Sequence, residues 1–404
     1  MLNDPKRVSF EIAGTEYSFE TGRMAKQASG AVVVTVGDTV VLCTATKGNK
    51  KDVDFLPLTV DIEERMYAAG KIPGSFFRRE GRSGEKATLV ARLIDRPLRP
   101  LFPKGWNYDT QLVGIPLSID HVHPYDILAM NGASAALQVS DIPFPEPVGA
   151  VRVGKIDGKF VINPEEAAIA DSELDLVVAG TAEAILMVEA GANQVSEAEI
   201  LDALDIAHET IKQFCDAQIK LRELAGKGKV EFESPKLDEA LVAEVKSSHG
   251  AEIEKATQVE DKLERQDATN AVKEEVVAKY AGDESADDYS AKASEAKKVF
   301  GSLEKQAVRE RIAIQKKRPD GRATDEIREI EIEVAVVPRT HGSALFTRGQ
   351  TQAFSTVALG SLRDEMKLDT LGLETEKGYF HHYNFPPFSV GEAGFMRGPK
   401  RRDI

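Results

Sequence analysis

Six residues of this chain recur in strict register. Gly30, Thr35, Gly37, Thr39, Thr44 and Gly48 reappear as Gly342, Thr347, Gly349, Thr351, Thr356 and Gly360, every pair 312 residues apart. The shared glycines fall where turns are expected and the stretches between them are apolar in both copies, as two examples of one β-hairpin require. A constant offset over so many positions identifies a duplicated domain. Paired arginines repeat as well: Arg78-Arg79-Glu80 has a counterpart in Arg401-Arg402-Asp403, at an offset of 323 that implies an insertion in the second copy.

The 404 residues exceed the usual limit of a single hydrophobic core. Val8 to Phe19 alternates around Gly14, and Ala31 to Ala45 flanks Gly37-Asp38, so both segments predict hairpins. Phe55 to Ile62 continues as a strand, followed by a long basic loop marked by Gly70, Pro73, Gly74 and Gly81. Gly84 to Arg96 predicts a helix ended by Pro97, and Ile127 to Val139 a buried one. Val151 to Ile162 turns at Asp157-Gly158, and Leu174 to Ala179 pairs with Ala184 to Glu189. Ser196 and Glu199 form a capping box before a helix whose apolar face carries Ile200, Leu204, Ala207, Ile211 and Phe214 and which Gly226 can end.

From about 229 to 310 Glu, Lys, Ala and Asp dominate, with turn signals at Gly250 and Gly282, which predicts a separate helical insert. Beyond Arg311 the β pattern returns, first in Ile330, Ile332 and Val334 and then in a strand pair from Ser343 to Leu359. The expected division is 1–228, 229–310 and 311–404, in the α+β class.

A net charge of −14 argues against a protein that coats nucleic acid indiscriminately, so an anionic substrate must be met by local basic clusters. No apolar run approaches the roughly 20 residues that cross a bilayer, and the start shows no signal-peptide core; no membrane role and a cytoplasmic location are expected. Cys43 and Cys215 read as buried thiols. His121-Val122-His123 and His381-His382 lack a third ligand at a recognisable spacing, so packed or hydrogen-bonded histidines are expected there rather than a metal site.

The loop Phe76-Phe77-Arg78-Arg79-Glu80-Gly81-Arg82 joins two aromatic rings to three guanidinium groups. Aromatic faces stack bases for about 1–3 kcal/mol each, and arginine forks grip phosphate oxygens bidentately. The same pattern fits two core phenylalanines beside surface ion pairs equally well. Arg92 and Arg96 share one face of the predicted helix, with Arg99 just beyond; they extend a basic track or pair with Glu85 or Asp95. Lys400-Arg401-Arg402 follows Gly398-Pro399, where a turn would present three cations.

Four segments together resemble the polynucleotide phosphorylase family. They are Gly74 to Arg82, Arg92-Leu93-Ile94-Asp95-Arg96-Pro97, Pro338 to Gly349, and His381-His382-Tyr383-Asn384-Phe385-Pro386-Pro387. The resemblance runs from near residue 8 to the last residue. It implies two RNase PH-like (ribosomal protein S5 domain 2-like) cores joined by an all-helical domain, with the second core incomplete at Ile404. It also implies a ring-shaped homotrimer that degrades single-stranded RNA from the 3′ end, in mRNA degradation, with inorganic phosphate as co-substrate, magnesium as cofactor and possible RNA-degradation complex partners.

Carried over by that resemblance, Phe76, Phe77, Arg78 and Arg79 contact RNA, with Arg82, Arg92 and Arg96 as supporting cations, and Arg401 and Arg402 stand near the phosphorolytic site. The magnesium ligands, a serine-containing phosphate pocket and the KH and OB-fold modules are expected downstream of Ile404. This piece is therefore expected to have little or no activity of its own. The alternative expectation is a non-catalytic RNA-binding or ring-assembly fragment; a smaller one is a hydrolytic relative on the same fold.

Overall fold

The computed structural model describes residues 4–396 and 403. Two compact units emerge, Met1–Ser234 with Ser361–Ile404, and Pro235–Gly360.

The first unit opens with β1 (Lys6–Ile12), β2 (Thr15–Thr21), β3 (Gly30–Val36), β4 (Thr39–Lys50) and β5 (Leu58–Ile62). Next come α1 (Glu85–Leu98), β6 (Tyr108–Ser118) and α2 (Tyr125–Val139). The series continues with β7 (Gly149–Ile156), β8 (Lys159–Ile162), the single turn α3 (Glu166–Ile169), β9 (Leu174–Gly180), β10 (Ile185–Ala192) and α4 (Glu197–Ala225). One sheet has the order β1-β2-β3-β4-β6-β5, antiparallel except for the β5–β6 pair; the other has the order β10-β9-β7-β8.

Helices α2 and α4 each contact strands of both sheets. That position explains the composition of α2, whose every residue is buried and which is built from Ala, Gly, Ser and a few larger apolar residues. Asn131 inside it is satisfied on both sides: its Nδ2 donates to the Ala150 carbonyl at 2.8 Å, and its Oδ1 accepts the Ala150 N–H at 3.0 Å. A Cβ on Gly132 would lie 2.6 Å from Cys43 Sγ and 2.7 Å from a Val34 methyl, so glycine permits the close approach of helix to sheet. Both thiols are buried, and burial pushes Cys43 up to about 12.

The capping box of α4 forms as expected, the Glu199 N–H donating to Ser196 Oγ and the Ser196 N–H to Glu199 Oε2, and Gly226 ends the helix. Two local expectations are corrected. Pro97 does not end α1, which runs through it to Leu98 before a 3₁₀ turn at Arg99–Leu101; the proline is buried one residue from the helix end and forfeits only the hydrogen bond of its own missing N–H. Gly250 marks no turn but lies inside the next helix, whereas Gly282 does cap one.

The second unit contains α5 (Glu239–Ala256), α6 (Lys262–Ala281) and α7 (Tyr289–Ala313) around an apolar cluster of Val245, Ile253, Val276, Val299 and Phe300. It also holds the sheet β11 (Ile330–Val334), β12 (Gly342–Arg348) and β13 (Thr351–Val357). Two short strands, β14 (Met366–Lys367) and β15 (Glu376–Lys377), pair with each other in the segment that rejoins the first unit.

The repeat is visible in the hydrogen-bond register itself. In β3–β4 Gly30 faces Ala45 and Val36 faces Thr39; in β12–β13 Gly342 faces Val357 and Arg348 faces Thr351, each partner displaced by 312. The strand before each hairpin joins it the same way, β2 on β3 and β11 on β12.

Candidate nucleic-acid interface

Phe76 and Phe77 project from the first unit at 93% and 85% exposure, their rings edge to face at a centroid distance of 5.3 Å. The core alternative for these two residues is therefore excluded. Two adjacent phenylalanines on the surface leave apolar area in water that folding normally removes. Arg78, Arg79 and Arg82 are exposed beside them, and among the described residues none of the three guanidinium groups makes a hydrogen bond or ion pair. The ion-pair alternative fails at these three positions.

The loop is fastened at several points. Ser75 Oγ donates to the Arg79 carbonyl at 2.8 Å, and the Arg78 N–H donates to the Ser75 carbonyl at 2.9 Å, closing a turn around the two rings. Arg78 itself adopts φ +50°, a left-handed conformation that costs a non-glycine residue of order 1 kcal/mol. Glu80 accepts the Met66 N–H at 2.8 Å, and that bond is the main reason its carboxyl lies below the usual range, with Arg65 and Arg79 adding to it. Ser83 Oγ donates to the Ile62 carbonyl at 3.3 Å. Beneath the loop lies a cavity of about 160 Å³ lined in part by Glu63, Glu64, Arg79, Glu80, Arg82 and Asp369.

The helical arginines differ from those of the loop. Arg92 is exposed on α1 and has a partner. Arg96, also exposed, is paired with Glu189 on β10 and donates to the Val188 carbonyl at 3.3 Å. Arg99 is structural: it bridges Asp95 at 2.7 Å and donates to the carbonyls of Leu56 and Leu58. Lys400, Arg401 and Arg402 lie outside the described residues.

Among the described residues, none of His121, His123, His381 and His382 falls in a group with donor atoms spaced for an ion. His123 Nδ1 is 2.7 Å from Asp120 Oδ2, and Asp120 also accepts the N–H groups of Val122 and His123 and the Thr39 hydroxyl, each at 2.8 Å. Burial would raise the Asp120 carboxyl, but these bonds outweigh it and hold it well below the usual carboxylate range.

Among the described residues, the carboxylates lining the cavity beneath the loop each have a partner. Glu63 is paired with Arg65, Glu64 accepts the Tyr125 hydroxyl, Glu80 the Met66 N–H and Asp369 the Gly74 N–H. Among the described residues, the group with donor atoms spaced for an ion is His249, Glu252 and Glu275 on α5 and α6, in the other unit.

A family model for the 3′ exoribonuclease family, domain 1, matches residues 15–143 and again 326–404, just over half of the chain and on both copies of the repeat. The chain belongs to the 3′ exoribonuclease family. Domain 2 of the same family matches residues 146–210, and the polyribonucleotide nucleotidyltransferase RNA-binding domain matches 240–323, the region of α5, α6 and α7. Within the family the chain is similar to curated polyribonucleotide nucleotidyltransferases. That of Natranaerobius thermophilus is 50% identical over 407 residues, covering 99% of this chain and 57% of that protein. Those of Chloroflexus aurantiacus and Geobacillus kaustophilus are 51% and 50% identical, covering 98% and 100% of this chain and 53% and 56% of theirs. The chain spans about half the length of the curated relatives it matches. The crystal structure of rice Rrp46 aligns at a TM-score of 0.41 and 13% identity, over 55% of this chain and 96% of that one, too low to add to the assignment.

The fold expected of the family, RNase PH-like domains with a helical domain between them, is the one observed. Sequence reasoning missed the residues that fasten the loop from outside it. Asp369 and Leu371 carry no recognisable motif; the available signal was a short apolar island, Leu371-Gly372-Leu373, in a turn-rich stretch.

Proposed function

We propose that the protein this chain belongs to is a phosphorolytic 3′-to-5′ exoribonuclease of single-stranded RNA, acting in mRNA degradation. The observation that carries the reading is the fastened loop with Phe76 and Phe77 exposed and Arg78, Arg79 and Arg82 beside them, on a chain about 50% identical to polyribonucleotide nucleotidyltransferases. In this reading bases stack on the two rings and the guanidinium groups hold backbone phosphates, which gives affinity without sequence readout. Arg92 and Arg96 extend the cationic track along α1, Arg96 by exchanging Glu189 for a phosphate.

The reaction is attack by an oxygen of inorganic phosphate on the phosphorus of the 3′-terminal phosphodiester. The bond from phosphorus to the 3′ oxygen of the preceding nucleotide breaks, and that oxygen leaves as a hydroxyl on the shortened RNA. The released nucleotide, now carrying the attacking phosphate, is a nucleoside diphosphate; reversal is polymerisation. Arg401 and Arg402 are assigned to the negative charge that gathers on the phosphoryl oxygens. A divalent cation, magnesium in this proposal, would supply further charge stabilisation from ligands outside these 404 residues. A homotrimer in the cytoplasm, with partners in an RNA-degrading complex, completes the reading.

The test supplies a single-stranded RNA and magnesium, with and without inorganic phosphate, to the intact protein and to the 404-residue chain. Nucleoside diphosphate released by the intact protein in the presence of phosphate is expected, with little or none from the chain alone. Phosphate-independent release of nucleoside monophosphate would replace this reading with a hydrolytic one, and turnover by the chain alone would move the catalytic centre into these residues. For RNA held without turnover, Arg78→Ala with Arg79→Ala should weaken binding about tenfold or more at low salt.

A further inference from the structure

The loop that carries Phe76 and Phe77 does not hold itself in place. Among its described bonds, those made within it are the turn between Ser75 and Arg79; the remainder go to other parts of the first unit. We propose that the segment from Met366 to Lys377 is a latch that sets the presentation of this loop, with Asp369 as its positioning residue and Leu371 as its plug.

Three contacts carry the proposal, and they straddle the loop. At its entry, Asp369 Oδ2 accepts the Gly74 N–H at 2.6 Å, two residues before Phe76. A Cβ on Gly74 would lie 2.9 Å from the same oxygen, so the glycine is what lets the carboxylate reach the backbone. At the floor, Leu371 is 1% exposed and clusters with Met66 and Ala68. The short helix Met66–Ala69 that receives it is the element whose Met66 N–H is held by Glu80. At the exit, Lys377 Nζ reaches both carboxylate oxygens of Glu85, the first residue of α1, at 2.9 and 3.0 Å. The β14–β15 pair closes the latch on itself.

Leu371 has a second consequence. Apolar side chains collapse into whatever apolar niche is within reach, and Met66 lines the same cavity as Ser75 and Arg79, the residues that close the turn around the two phenylalanines. With Leu371 filling that niche, neither ring can occupy it. The segment that follows the second copy of the hairpin therefore keeps the aromatic pair of the first copy in solvent, available for stacking. Fixing the loop in its binding conformation removes part of the ordering cost that RNA would otherwise bear.

This inference rests on the RNA-binding reading of the loop, and the experiment separates the two. Affinity of the 404-residue chain for a labelled single-stranded oligonucleotide is measured by fluorescence anisotropy for wild type, Asp369→Ala, Asp369→Asn, Leu371→Ala, Leu371→Met and the double variant Arg78→Ala with Arg79→Ala. Asp369 is exposed, so its removal leaves the core intact. Asp369→Ala and Leu371→Ala should each weaken binding about five- to tenfold. Asp369→Asn, which keeps an oxygen acceptor, and Leu371→Met, which keeps the volume, should stay within about twofold. Amide hydrogen exchange across residues 74–82 should quicken in the two alanine variants and not in the conservative pair. Unchanged affinity in both alanine variants, with binding lost in the double arginine variant, overturns the latch and leaves the RNA reading standing. An unaffected double arginine variant overturns the reading itself, and the latch with it.

Discussion

The two copies of the hairpin share one hydrogen-bond register and differ almost completely in burial. In β3–β4, Val32, Val34, Val41, Cys43 and Ala45 are all sealed from solvent; in β12–β13, Phe346, Phe354 and Val357 are 36%, 54% and 52% exposed. Register is a local property, decided by where the turn falls and by alternation along each strand. Burial is not local: it comes from α2, which lies against β3 and β4 in the first unit. The clearest expression of the difference is one glycine. A Cβ on Gly30 would sit 2.1 Å from the Ala136 carbonyl oxygen of α2, whereas on Gly342 it would meet nothing nearer than Val357 Cβ at 3.7 Å.

The largest expected effect comes from adding that methyl group to both copies. Gly30→Ala should destabilise the first unit by about 3 kcal/mol, because the obstacle is backbone that cannot rotate away. Gly342→Ala should change stability by less than about 0.5 kcal/mol. Urea unfolding of both variants checks this, and equal losses would show that a second helix presses on β12 as α2 presses on β3.

Removing methyls is next in size. Val34→Ala should cost about 2 kcal/mol, while Val357→Ala on the exposed counterpart strand should cost about 0.5 kcal/mol or less. Slower amide exchange in β3–β4 than in β12–β13 is the companion result, and comparable protection in both would break the contrast.

The smallest effect distinguishes the two turns. Asp120 accepts the Asp38 N–H at 3.2 Å and the Thr39 hydroxyl at 2.8 Å, tying the first turn to the segment before α2. Its carboxyl is held below the usual range in the folded state, so its contribution is complete above the unfolded value near pH 4 and is lost as pH falls through the folded value. Asp120→Asn should lower stability by about 1 kcal/mol at pH 7, and the gap from wild type should close on acidification. A gap that stays constant from pH 7 to pH 3 would remove the carboxylate's charge from the explanation. The second turn, where Gln350 Nε2 donates to Asp261 Oδ2 at 3.2 Å, should not respond to this substitution.

Much of the fold was legible because it is written in short-range chemistry. The hairpins at Gly14, Gly37 and Asp157-Gly158 and the capping box at Ser196 each depend on a few neighbouring residues. Pro97 and Gly250 misled for the complementary reason: each weakens a helix by only part of what surrounding contacts supply, so tertiary context overrode it.

The candidate interface divides along the same line. That Phe76, Phe77 and three arginines share one loop is visible in the sequence alone, as is the 312-residue repeat that places a second such domain in the chain. Whether the two rings point into a core or into water was undetermined there, since Phe-Phe suits either. The tertiary structure decided it, through Glu80 on Met66 and through Asp369 and Leu371 from nearly 300 residues away. Local pattern determines which backbone hydrogen bonds a segment can make; which of its side chains meet solvent depends on what distant chain arrives to cover them.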